Sequence, residues 1–185
     1  MIQTEFTLDE RIAICRWLGD SPFTVITLYQ IRQGMVNMVL VGSLLDIRGL
    51  VVQSHDLMEE PTAYGNDAYA ILQGLGAISG WTCVNVSRDI ADELADLLAD
   101  ELQCLIRPYD DVYYVLEKPV SDTEKFIDGV EIRLLSTEDH LENAPSDLLA
   151  SSTRDYVAGA IYDNRLVAIA HAHALSDMYA DVGVY

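Results

Sequence analysis

The sequence predicts an α/β protein with α+β mixed sheets, laid out in two blocks: a small α/β domain over residues 1–118 and a partial β-α-β-β-β unit over 130–185, joined by a linker at 119–129. Three observations carry this reading. Through the first block, apolar runs suited to strands alternate with segments of three-to-four apolar spacing. The stretch Glu117–Asp128 is charged, contains Pro119 and Ser121, and interrupts the apolar pattern. Beyond it, the apolar-rich runs Tyr156–Tyr162 and Leu166–Leu175 flank Asp163-Asn164, two residues that tolerate the backbone of a tight turn, so they read as a β-hairpin.

In chain order, Thr7-Leu8-Asp9-Glu10 is a capping box, in which the Thr7 hydroxyl and the Glu10 side chain satisfy each other's otherwise orphaned backbone donors. A helix is expected from Leu8 to Leu18, ended by Gly19, with a second helical stretch restarting at Ser21-Pro22 and running to Gln33. Val36–Val41 and Gly49–Ser54 read as strands of a sheet covered on both faces, with His55 as a polar strand-end residue. Glu59–Thr62 is a loop. From Asn66 the spacing of Ala68, Ile71, Leu72, Leu75 and Ile78 is helical, and Gly74 and Gly76 within it imply close packing rather than a dinucleotide loop, which would need a third glycine.

Trp81–Val86 is strand-like, and Ser87 opens a helix whose stripe of Ile90, Leu94, Leu97, Leu98 and Leu102 is core, its carboxylates being solvated. Leu105-Ile106 and Val112–Leu116 are further strand candidates. Val130–Leu135 reads as a strand, the polar segment from Thr137 as containing a helix, and Ala180–Tyr185 as a closing strand after the break at Ser176-Asp177.

The chain has 185 residues, half of them hydrophobic, and a formal net charge of −19. Such acidity opposes binding to nucleic acid or to anionic membranes, and has two readings: a surface that serves solubility, or a field that attracts cationic partners such as amines. Cys15, Cys83 and Cys104 stand apart with no C-x-x-C spacing, which encodes neither a zinc ribbon nor a redox pair and fits a reducing, cytoplasmic setting. No signal peptide is visible at the N-terminus, and the most apolar run, Met35–Leu45, is too short to span a bilayer.

Alternation along the hairpin's second strand puts His171 and His173 on one face and Ala170, Ala172 and Ala174 on the other. The alanine face suits close packing by a helix. The two imidazoles have three readings: polar sheet lining, substrate-pocket or acid/base residues, or a metal pair lacking its third and fourth ligands.

Strand, helix, hairpin and a closing strand reading A-D-V-G-V-Y resemble the first part of a GNAT N-acetyltransferase domain, over the last third of the chain. In that superfamily the closing strand often reads A-E-I/V-G-x-V/Y and its backbone binds the pantetheine arm of acetyl-CoA. The resemblance therefore implies acetyl-CoA as cofactor, held along Val182, Gly183, Val184 and Tyr185, and a small-molecule amine or amino acid as acceptor. It implies Asp181, where relatives carry Glu, as a general base, beside the reading of a surface acid at a strand edge. His173 joins it as a catalytic candidate and His171 as a substrate residue. The family pattern continues into a loop of the type Gln/Arg-x-x-Gly-x-Gly/Ala that holds the pyrophosphate at a helix start. The sequence stops at Tyr185, before that loop, so the chain is expected to be inactive alone and to continue into a Gly-rich turn when extended. The competing reading is a non-catalytic acidic binding or regulatory module. Under either reading the terminal strand is expected to pair with another chain, as in a homodimer.

Overall fold

The structure, a computed structural model, describes residues 1–111, 114–115, 127–136, 138–139, 141–144 and 156–184. It is a mixed α/β arrangement with two separate four-stranded antiparallel sheets, in two compact units. The expected linker lies largely outside the described residues, as do most of the segment expected to be helical after Thr137 and part of Val112–Leu116.

In the first unit the strands β1 (Ile2–Gln3), β2 (Val36–Ser43), β3 (Asp46–Ser54) and β4 (Thr62–Gly65) are neighbours in that order. The helices are α1 (Leu8–Leu18), α2 (Val25–Gln33), of which this unit holds the residues from Thr27 on, α3 (Ala68–Leu75) and α4 (Arg88–Leu102). The capping box at α1 is formed: the Glu10 N–H donates to Thr7 Oγ1 at 3.3 Å and the Thr7 N–H to Glu10 Oε2 at 2.7 Å. Gly19 ends α1 at φ 67° and ψ 169°, a positive-φ turn outside the left-handed helical well. α2 begins where the Ser21 carbonyl accepts from the N–H groups of Thr24 and Val25.

Sheet register explains the burial. Val39, Val51 and Ala63 stand in one row across β2, β3 and β4, and pack with Ile71 and Leu75 of α3 and Ile90, Leu94 and Leu98 of α4. The adjacent row, Leu40, Leu50 and Tyr64, faces the other way. There the Tyr64 hydroxyl lies 2.7 Å from Thr27 Oγ1 of α2, and Gln30 Nε2 donates to Ser54 Oγ at 3.1 Å. Both faces are covered, as the continuous apolar runs predicted. Gly74 is buried against the sheet: a Cβ there would stand 2.7 Å from Val51 Cγ2, so close packing is why glycine occupies a helix interior.

Several expectations change. Trp81–Val86 is not a strand, because its backbone serves as a strap: the N–H groups of Thr82 and Cys83 donate to the Glu59 carbonyl, and Asn85 exchanges bonds with Pro61 and Ala63. Leu105-Ile106 forms no strand either, and Ile106 packs on the α3/α4 core. Leu102 is half exposed at the last turn of α4, and Ser87 holds the N-cap position without a side-chain cap bond. The pattern missed β1 and β4. His55 is exposed at the end of β3, with Nε2 3.3 Å from Asn37 Oδ1.

Asp67 caps α3 by accepting from the Ala70 N–H at 2.9 Å, and it is ion-paired to Arg48. That N–H and the guanidinium hold its carboxyl below the usual range. A depressed folded-state pKa means that the carboxylate's stabilisation is complete above the unfolded value of about 3.9 and is lost as pH falls through the lower folded value. Asp67→Ala is expected to destabilise the first unit by about 1–2 kcal/mol at neutral pH. In thermal melts, the gap between parent and Asp67→Asn should narrow below pH 4.

The second unit holds β5 (Val130–Leu134), β6 (Val157–Tyr162), β7 (Arg165–Leu175) and β8 (Ala180–Val184), neighbours in that order and all antiparallel. Asp163 and Asn164 turn the hairpin at φ 49° and 60°, the left-handed conformation their side chains tolerate. Leu135, Val157 and Ile161 are its buried apolar cluster, with Leu141, Leu166 and Ile169 against them. Among the described residues no helix is long and apolar enough to cross a membrane.

Candidate functional site

The closing residues form a strand, and β8 is the outer strand of its sheet among the described residues. Ser176–Tyr179 makes the turn into it: the Ser176 N–H donates to the Tyr179 carbonyl and the Tyr179 N–H to Ser176 Oγ, both at 2.9 Å. Against β7 the register pairs Ala170 with Val184, His171 with Gly183, Ala172 with Val182, and Ala174 with Asp181. Tyr185 lies outside the described residues.

That register fixes which backbone groups of β8 are open. In an antiparallel ladder, residues alternate between directing both polar groups toward the partner strand and directing both away. The Ala172 N–H donates to the Tyr156 carbonyl on the β6 side at 2.9 Å, so Ala172 and Val182 form a non-hydrogen-bonded pair. The N–H and C=O of Val182 therefore point outward, away from β7, as do those of Val184 two residues on. Gly183 between them bonds inward to His171. The two outward residues are 52% and 73% exposed.

The faces follow from the same register, with one change. His173 is the extra residue of a β-bulge between Ala172 and Ala174. His171 and His173 do share a face, their ring centroids 4.5 Å apart and tilted by 58°. Past the bulge the parity of β7 reverses, so Ala174 joins the side of Asp181 instead of that of Ala170 and Ala172. A second bulge after Ala160 does the same for Leu166, which lets it pack with Ile161.

Gly183 and Asp181 thus lie on the imidazole face. This is also the face of the apolar cluster, since His171 is paired with the buried Val157. Gly183 contributes no side chain opposite His171, which leaves that part of the face low. Asp181 and His171 are half-buried and His173 is exposed.

The alanine face differs from expectation. Leu134, Ala158, Ala170 and Val184 form one row across all four strands, with Ile132, Ala160 and Ala168 beside it. Ile132 and Leu134 are 59% and 62% exposed, and among the described residues no helix covers them. The result is an alanine floor between branched side chains on the two outer strands. The chemistry gathered on β7 and β8 is therefore two imidazoles and one carboxylate on one face and two outward peptide groups along one edge. Among the described residues no group of three or more His, Cys, Asp or Glu is assembled for a metal ion.

The register that selects Val182 and Val184 over Gly183 was not readable from the sequence, nor were the bulges, because apolar alternation continues unbroken across each of them. No family model and no curated protein matches the chain. A solved structure described as a GCN5-related N-acetyltransferase-like protein from Streptococcus suis 89/1591 is similar to it at 12% identity and a TM-score of 0.46, over 95% of this chain and 75% of that one. A likeness that distant fixes neither ancestry nor chemistry.

Proposed function

We propose that β8 is the acyl-binding strand of a GNAT-type N-acetyltransferase that moves acetyl from acetyl-CoA to an amine of a small molecule or an amino acid. The observation that carries this reading is the pair of outward peptide groups at Val182 and Val184. They are spaced by about 7 Å along the strand and border the face that bears Asp181, His171 and His173. The pantetheine arm carries two secondary amides in series, which suit two peptide groups offering both donor and acceptor along an open edge. Acetyl-CoA, when bound, supplies the activated acetyl thioester.

The chain's own residues do the remaining work. The Val182 and Val184 peptide groups orient the arm along the strand. The Asp181 carboxylate takes a proton from the incoming ammonium, so that nitrogen attacks as the free amine, the thioester C–S bond breaks and the nitrogen's second proton goes to the departing CoA thiolate. His173 offers a second proton-accepting group beside Asp181. His171, paired with Gly183, lines the acceptor side. The chain's net charge of −19 raises the local concentration of cationic amines.

Calorimetry with acetyl-CoA tests this directly. Val182→Pro removes one outward N–H while leaving the bonds to β7 intact, and is expected to weaken binding roughly tenfold, the equivalent of about 1.4 kcal/mol. Absence of heat from the parent chain at millimolar acetyl-CoA would favour the non-catalytic module, for which the open edge of β8 is the supporting observation.

A further inference from the structure

We infer that β8 is a self-pairing edge, through which two copies of this chain join about a two-fold axis at Gly183 when no cofactor lies along it. The other sheet edges are managed. β1 is only two residues long, β4 is bridged by Asn85, and β5 carries Glu131 and Arg133 along V-E-I-R-L. Short strands, covering segments and charges are the means by which folded proteins blunt an open edge. β8 has none of them over Val182-Gly183-Val184: it carries no lysine or proline, no covering segment among the described residues, and only Asp181 as a charged residue.

The occupant follows from the register. With the axis at Gly183, Val182 faces Val184 of the partner subunit, and Val184 faces the partner's Val182. Those are the residues whose N–H and C=O point outward, so every open peptide group of the stretch finds a partner in a pair that exchanges both bonds. The two Gly183 residues meet as the intervening non-hydrogen-bonded pair, where the missing side chain permits close approach. The valines lie on the alanine face, Val184 in one row with Leu134 across the sheet and Ile132 beside that row, so β-branched pairs form across the junction and that exposed surface continues into its mate.

The charges also permit it. Each Asp181 is separated from the partner's Asp181 by four residues along the pair, about 14 Å. The remaining cost is the general repulsion of two chains of charge −19, which salt screens. Salt should therefore strengthen this dimer, whereas it weakens the attraction of a cationic ligand. The readouts below need no cofactor, so they stand or fall separately from the acetyl-transfer reading.

Sedimentation velocity on the cofactor-free chain, at 50 and 500 mM salt, should show a monomer–dimer equilibrium shifted to dimer at the higher salt. Val182→Pro and Val184→Pro, each with an unchanged far-UV spectrum, should shift it to monomer by roughly tenfold or more. Gly183→Cys should give, on mild oxidation, a disulfide-linked dimer in which peptide mass analysis joins residue 183 to residue 183, since facing residues of a non-hydrogen-bonded pair lie within bridging distance. A monomer at every concentration and salt, a dimer indifferent to both proline variants, or no 183-to-183 link would each overturn the inference.

Discussion

Ile71→Ala is expected to lower the unfolding free energy of the first unit by about 2–5 kcal/mol, enough to populate the unfolded state visibly at 37 °C in a small domain. Ile71 is fully buried on α3 in the cluster with Val39, Val51, Leu75, Ile90, Leu94 and Leu98, between sheet and helix pair. Its neighbours are held by the sheet register and by α4, so the void left by the smaller side chain closes only partly, and a cavity term adds to the lost transfer energy. Urea titration followed by far-UV circular dichroism checks it. Leu102→Ala, on the predicted stripe of α4 but half exposed, should cost much less. A reversed order would mean that α4 packs in a different rotation.

That pair of positions shows what the sequence could and could not disclose. Three-to-four spacing identified the stripe on α4, and the capping box identified the start of α1, because both are local: a helix face and its first turn are set by residues within four positions of one another. Leu102 failed because the stripe outlasts the core, and only tertiary packing says where the core ends. Trp81–Val86 failed for a related reason. Its apolar, β-branched composition suits a strand, but the peptide groups that a ladder would need are taken by Glu59, Pro61 and Ala63. In the second unit the hairpin and β8 were legible from the turn pair and the alternation. The bulge at His173 was not, since inserting one residue leaves the composition of the strand unchanged while reversing the face of everything after it.

Asp181→Asn is expected to lower the rate of acetyl transfer by about 100- to 10,000-fold in a chain that turns over, with little change in the affinity for acetyl-CoA. The asparagine amide keeps the size of the side chain but accepts no proton, so the acceptor stays an ammonium with no lone pair to attack. Asp181 shares its face with His171 and His173 and is bound to the strand by register, not by a flexible loop. Asp181→Glu, one methylene longer, should retain most of the rate, whereas Asp181→Ala should behave like the asparagine variant. Steady-state assays over a panel of polyamines and amino acids separate these outcomes. Equal rates for parent and Asp181→Asn would move the proton-accepting role to His173, and His173→Gln would then carry the loss.

The central claim is that the outer edge of β8 receives the acyl-bearing arm through Val182 and Val184. An amide-resolved nuclear magnetic resonance titration of the chain with acetyl-CoA tests it most directly. The Val182 and Val184 N–H signals should shift with the added cofactor while that of Gly183, bonded inward to His171, moves least among the three. Saturating acetyl-CoA that leaves both valine signals in place, or that moves those of α4 instead, would contradict it.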